Sequence, residues 1–239
     1  MSGELAPGEA PQSFAALVAS LGHDLRSPLN AILGYAQLMI EEGADGAGSS
    51  AVEDLRRILA AGQLQLAHLG ALLELARHEA GLATDGGGPA DAAEVLAEVS
   101  AAGRREGVDV DAGGVDGPVL LAAGRETATA VLRAWLGFVA RRSASRRVSL
   151  RLEREASAAV VTLSAPDPPG EGEDVAWAAE PYRMGPRRSD EDWILAGLDL
   201  KTRVAAVRRL GGATRVERGP HGLGVTVRLP LAAAGGRDP

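Results

Sequence analysis

Ser20-Leu21-Gly22-His23-Asp24-Leu25-Arg26-Ser27-Pro28-Leu29-Asn30 is the stretch on which the reading of this chain turns. Around it, Phe14, Val18, Leu21, Leu25, Leu29, Ile32, Ala36 and Met39 recur at spacings of three and four, the pattern of a buried helical face. At roughly 100° per residue, His23 falls about 200° from both Leu21 and Leu25, so it is expected on the opposite, solvent side. Pro28 has no backbone N–H, and its ring crowds the Asp24 carbonyl four residues back, which predicts a kink beneath the His-Asp pair.

An imidazole placed this way can act as a nucleophile through one ring nitrogen. A partner on the other nitrogen fixes the tautomer and stabilises the developing charge, and the adjacent Asp24 is the candidate partner. A solvated histidine beside a solvated acid would need no such role. The whole string decides between the two. His23-Asp24-Leu25-Arg26-Ser27-Pro28-Leu29-Asn30-Ala31-Ile32-Leu33-Gly34-Tyr35 resembles the H-box of two-component sensor histidine kinases over about a dozen consecutive positions. The resemblance implies that His23 is a phosphoacceptor, Asp24 its orienting acid or base, and Ser27 a candidate for the phosphatase position.

Composition excludes several other classes. With 239 residues there is room for one large domain or two modest ones, enough to bury a core. Cysteine is absent and only four histidines are present, so neither a thiolate site nor a histidine-built metal site is expected. No apolar run is expected to approach the roughly 20 residues that a membrane span requires, and the acidic, Gly/Pro-rich N-terminus does not read as a signal peptide. The expectation is a cytoplasmic protein with no membrane contact. Net charge is −7, and the arginine pairs at 141–142, 146–147, 187–188 and 208–209 are scattered, so nucleic-acid binding is not expected.

The chain divides legibly. Residues 1–12 read as a tail and 13–83 as a helical hairpin, with a first helix over 13–42. A Gly-rich loop follows, and Ser50 with Glu53 suggests a capping box for the second helix. That helix carries Val52, Leu55, Ile58, Leu59, Leu66, Leu69, Leu72, Leu73 and Ala76 on its apolar side and fades by Gly81-Leu82. One hairpin cannot shield two such stripes, so a homodimeric four-helix bundle is expected. Residues 84–89 form a linker, 90–232 a second domain, and 233–239 a tail.

In the second domain the periodicities predict helices over 90–107, 125–142 and 194–210. Strands are predicted over 108–112, 118–122, 147–153, 159–164, 214–218 and 224–229. The last pair is expected to form a hairpin through Gly219-Pro220-His221-Gly222. This order resembles the ATP-binding α/β sandwich of histidine kinases, giving an α plus α/β fold class for the whole chain.

The family's nucleotide-binding residues do not accompany the resemblance. Its two asparagine positions, one of which ligates Mg²⁺, fall on Ala134 and Phe138, which offer no oxygen donor. Its adenine-binding aspartate corresponds to Asp167, flanked by Pro166 and Pro168 where glycines belong. Its Gly-Leu-Gly-Leu motif reads Gly197-Leu198-Asp199-Leu200, which would put a carboxylate at a helix N-terminus where phosphates approach. An F-box-like Trp177-Ala178-Ala179-Glu180-Pro181-Tyr182-Arg183 persists, and packing alone could keep it.

The expected function is therefore a phosphorelay one, similar to dimeric histidine phosphotransferases with a degenerate ATPase-like domain. His23 would exchange a phosphoryl group with receiver-domain aspartates, Mg²⁺ being supplied by the receiver and ATP not being bound. With about a dozen residues ahead of the first helix, input is expected from a partner, such as an upstream hybrid kinase. Asn30, Ala31, Gly34, Tyr35 and Leu38, on or beside the His23 face, form the expected receiver strip. The alternatives are an active soluble autokinase using ATP and a non-catalytic dimeric scaffold.

Overall fold

The structure, a computed structural model, describes residues 26–27, 29–41, 49–83, 87–114, 117–166, 175–180, 193–219 and 222–233. The chain separates into two compact units, Met1–Ala83 and Thr84–Pro239.

In the first unit the described helical residues 29–41 form α1, and Ser49–Glu79 form α2. Leu29, Leu33, Ala36 and Ile40, at spacings of four, three and four, are the buried or half-buried positions of α1. Among the buried or half-buried positions of α2, Val52, Leu55, Leu59, Gly62, Leu66, Leu69, Leu73 and Ala76 alternate three and four throughout, and Leu64, His68, Gly70, Ala71, Leu75 and His78 are buried or half-buried beside them. This is the narrow seam of two packed helices. It closes tightly at one point, where a Cβ on Gly62 would collide with the end of the Leu33 side chain.

The seam differs from the expected apolar face. Ile32 and Met39 on α1, and Ile58 and Leu72 on α2, are about half exposed in the single chain, at 54, 55, 49 and 51%. The apolar arc on each helix is wider than one neighbour can cover, so the intrachain seam takes its centre and leaves one flank. On each helix the flank lies about 60–100° to the same rotational side of the seam, which for antiparallel helices is the same side of the hairpin.

Two further expectations are corrected here. Ser50 lies inside α2, which starts at Ser49, so it does not precede the first turn as a cap. And one helix, Ala51–Glu79, is by length and composition long and apolar enough to cross a membrane. Its apolar residues supply the hairpin seam and flank, and Gln63, Gln65 and His68 interrupt the run. Gly81, at φ +72°, ends α2: its amide bonds the His78 carbonyl at 3.1 Å, and that of Leu82 bonds Arg77 at 2.9 Å.

The second unit is a five-stranded sheet covered on one face by helices. Its strands are β2 (Asp109–Gly113), β4 (Arg147–Arg154), β5 (Ala158–Ala165), β6 (Ala213–Gly219) and β7 (Gly222–Pro230), in the order β2-β4-β5-β7-β6. Only the β2–β4 pair is parallel. Two short strands, β1 (Ala90–Asp91) and β3 (Leu120–Leu121), pair antiparallel outside this sheet. The helix expected from residue 90 therefore starts two residues later, as α3 (Ala92–Arg105), because the Asp91 carboxylate caps it by accepting from the Ala93 amide at 2.8 Å.

Helices α4 (Arg125–Ala140) and α5 (Trp193–Arg209) complete the layer. Strand alternation directs Val148, Leu150 and Leu152, Ala159, Val161 and Leu163, and Val225, Val227 and Leu229 onto the helices. There they meet Val95, Val99, Val131, Leu132, Trp135, Val204 and Val207 in one core. Gly212 allows α5 to turn tightly into β6, since a Cβ there would collide with the Arg228 carbonyl oxygen.

Candidate functional site

His23 and Asp24, with Pro28, lie outside the described residues. The described positions that follow them are solvent-facing: Ser27, Asn30, Ala31, Gly34, Tyr35 and Leu38 are all exposed. Ala31, Gly34 and Leu38 fall on the α1 surface opposite the Leu33–Ala36 seam, Asn30 lies to one side of it, and Tyr35, 69% exposed, stands one turn from both Ile32 and Met39 of the flank. Gly34 has nothing within 4 Å of where a Cβ would stand. This is an open strip of mostly small and apolar groups.

In the second unit a cleft of about 360 Å³ opens between α4 and α5. Ala130, Arg133, Ala134, Gly137 and Arg141 of α4 and its C-terminal end line one side; Ala196, Asp199, Leu200 and Arg203 of α5 line the other, with Glu106. Its charges are paired: Arg133 donates to Glu106 at 2.8 Å, and Arg203 to Asp199 at 2.7 Å. Ala134 faces this cleft and carries no ligating atom. Phe138 does not face it. It is buried at 1% exposure, edge-on to Trp135 (ring centroids 5.5 Å apart) and to Trp177 (5.9 Å).

The placement of Asp199 is corrected by the structure. α5 starts at Trp193, so Gly197, Leu198, Asp199 and Leu200 sit inside the helix rather than at its N-terminus. The early start leaves their amides to intrahelical hydrogen bonds. What Asp199 does there is bind Arg203 one turn on. Asp167, with its flanking Pro168, lies outside the described residues, as do Pro181, Tyr182 and Arg183; Trp177 of the F-box-like stretch is a core residue.

Two groups escaped the sequence reading. Lys201 is 2% exposed and donates from Nζ to the carbonyls of Trp177 (2.5 Å), Ala178 (3.2 Å) and Glu180 (2.7 Å). Arg142 lays its guanidinium 3.8 Å from the Phe138 ring centroid. A signal for Lys201 was present: it stands on the apolar phase of α5, three residues after Leu198 and three before Val204. Among the described residues no cluster of His, Asp and Glu could hold a metal ion.

Residues 15–81 match the His Kinase A (phospho-acceptor) domain. No curated protein matches the sequence. In fold, the chain is similar to full-length ShkA in its crystal structure with AMPPNP, at TM-score 0.64 and 19% identity, over 92% of this chain and 47% of that one. It is also similar to the Acinetobacter baumannii histidine kinase AdeS, at TM-score 0.51 and 18% identity, over 88% of this chain and 98% of that one. The chain thus spans about half the length of ShkA. At such identities the likeness shows the fold of histidine kinases, and the phosphoacceptor match assigns residues 15–81 to the His Kinase A domain family.

Proposed function

We propose that this protein is a cytoplasmic, dimeric histidine phosphotransferase of a phosphorelay, with His23 as the carrier and no use of ATP. A His23 ring nitrogen attacks the phosphorus of a receiver's aspartyl phosphate. The N–P bond forms as the acyl-phosphate P–O bond breaks, and the freed carboxylate stays on the receiver. The reverse step loads a second receiver. Mg²⁺ comes with the receiver, and Asp24 holds the imidazole in the tautomer that attacks.

The observation that carries this reading is the fate of the nucleotide positions. Ala134 offers the cleft no oxygen, Phe138 is part of the aromatic core, and the Gly197–Leu200 amides are inside a helix with Asp199 held by Arg203. A Mg²⁺–nucleotide needs oxygen ligands and free amides that these residues do not supply. The half-exposed Ile32, Met39, Ile58 and Leu72 supply an apolar flank suited to a second hairpin, and so to the bundle dimer. The α1 strip from Asn30 to Leu38 is then left for a receiver.

Two measurements test it together. Calorimetric titration of the whole chain with Mg–ATP should give no heat of binding. Phosphoryl transfer from a phosphorylated receiver should be lost in His23→Gln with the dimer intact, and slowed in Asp24→Asn. Unchanged transfer in His23→Gln refutes the carrier. Micromolar ATP binding favours the second reading, an ATP-using autokinase, for which the AMPPNP bound to the similar ShkA is the motivating observation.

A further inference from the structure

The C-terminal end of α4, the turn at Ala176–Ala178 and α5 are joined by two packed aromatic rings with a cation at each end. The Arg142 guanidinium lies 3.8 Å from the Phe138 ring centroid, Phe138 meets Trp177 edge-on, and Lys201 Nζ lies 4.9 Å from the Trp177 ring centroid. Each cation is attracted by the electron-rich face of its ring, more strongly where water is excluded. Lys201 adds a second grip. Its ammonium sits in the core on three carbonyls of residues 177–180, where the Trp177 oxygen also accepts from the Glu180 amide at 3.1 Å. A buried ammonium is costly unless such acceptors surround it, so Lys201 and this turn specify one another's position.

We propose that Lys201 and the Arg142–Phe138–Trp177 stack form a ligand-independent latch, which holds residues 175–180 against α4 and α5 with no nucleotide bound. The proposal rests on the nucleotide-free reading above. In it, side chains of this chain supply the cohesion between α4 and α5 that a bound ligand would otherwise lend, and Lys201 acts as a positioning residue. Phe138 is central because it belongs to both parts: it stands at one of the two positions where the family resemblance implies an asparagine of the nucleotide motif, and it carries the Trp177 contact.

The test is backbone hydrogen exchange on the whole chain, read by mass spectrometry in wild type and Lys201→Met. Methionine keeps most of the apolar stem but removes the charge and all three hydrogen bonds. Exchange over 175–180 should accelerate about tenfold or more, with β4 and β5 little changed. Unchanged protection over 175–180 overturns the latch, and so does equal acceleration in β4 and β5, which makes Lys201 a general contributor to stability. Should Lys201→Met fail to fold, Phe138→Leu decides by the same measurement, since it removes the ring and retains apolar volume. Unfolding of both variants overturns the proposal, because the turn is then not separable from the core. ATP binding by the wild type would sink the nucleotide-free reading alone, since Lys201→Met still decides whether the latch exists.

Discussion

Restoring an asparagine at position 138 should damage the second unit and recover no nucleotide binding. Phe138 is 1% exposed and touches Trp135, Trp177 and the Arg142 guanidinium. Removing a buried phenylalanine side chain costs about 3–5 kcal/mol in lost burial and cavity. The incoming carboxamide adds about 1–3 kcal/mol if it finds no hydrogen-bond partner in this apolar setting. Some of the cavity is refilled by the amide, so about 4–6 kcal/mol is expected for Phe138→Asn. A domain is stable by only about 5–15 kcal/mol, so the variant should be close to unfolding. For a unit of this size the midpoint should fall by roughly 10–20 °C. All three tryptophans, Trp135, Trp177 and Trp193, lie in the second unit, so tryptophan fluorescence follows its unfolding without signal from the hairpin. A loss below about 1 kcal/mol would refute the core placement of Phe138, being the size of an ordinary surface effect. Micromolar ATP binding by the variant, measured at a temperature where it is folded, would refute the claim that several nucleotide contacts are missing at once.

Charge introduced into the α1 strip by Ala31→Glu or Leu38→Glu should weaken receiver binding by roughly 1–3 kcal/mol while analytical ultracentrifugation still finds the dimer; undiminished affinity in both places the receiver elsewhere. At the sheet edge, a hydrogen bond from Arg151 and then its charge hold the Asp111 carboxyl below its ordinary value of 3.8. A depressed carboxylate stabilises the fold above that ordinary value and loses its contribution as pH falls through the lower folded one. Asp111→Asn should therefore flatten the acid limb of the thermal midpoint below about pH 4, with only a slight loss at neutral pH because the pair is exposed; an unaltered acid limb refutes the assignment.

By itself the sequence determined what local rules control. The period of three and four located both hairpin helices, because a helix must bury one stripe whatever its neighbour. Alternation located β4, β5, β6 and β7, and glycine located the ends of α2 and α5, where a positive φ is needed. The phosphoacceptor string was legible because the residues that carry it are contiguous. What tertiary structure decided is which part of a broad apolar arc becomes the seam: Leu33 and Ile40 were preferred over Ile32 and Met39, since one neighbouring helix covers only about a third of a circumference. It also decided the meaning of single positions in the second unit. Phe138 and Ala134 are one helical turn apart, yet one enters an aromatic core and the other lines a cleft, according to what the turn at Ala176–Ala178 and α5 bring against α4. Lys201 drew no reading from the sequence, and only the fold shows its three carbonyl acceptors, which come from residues more than 20 positions away. Periodicity reports which side of an element is buried; it carries no information about the distant backbone that meets it there.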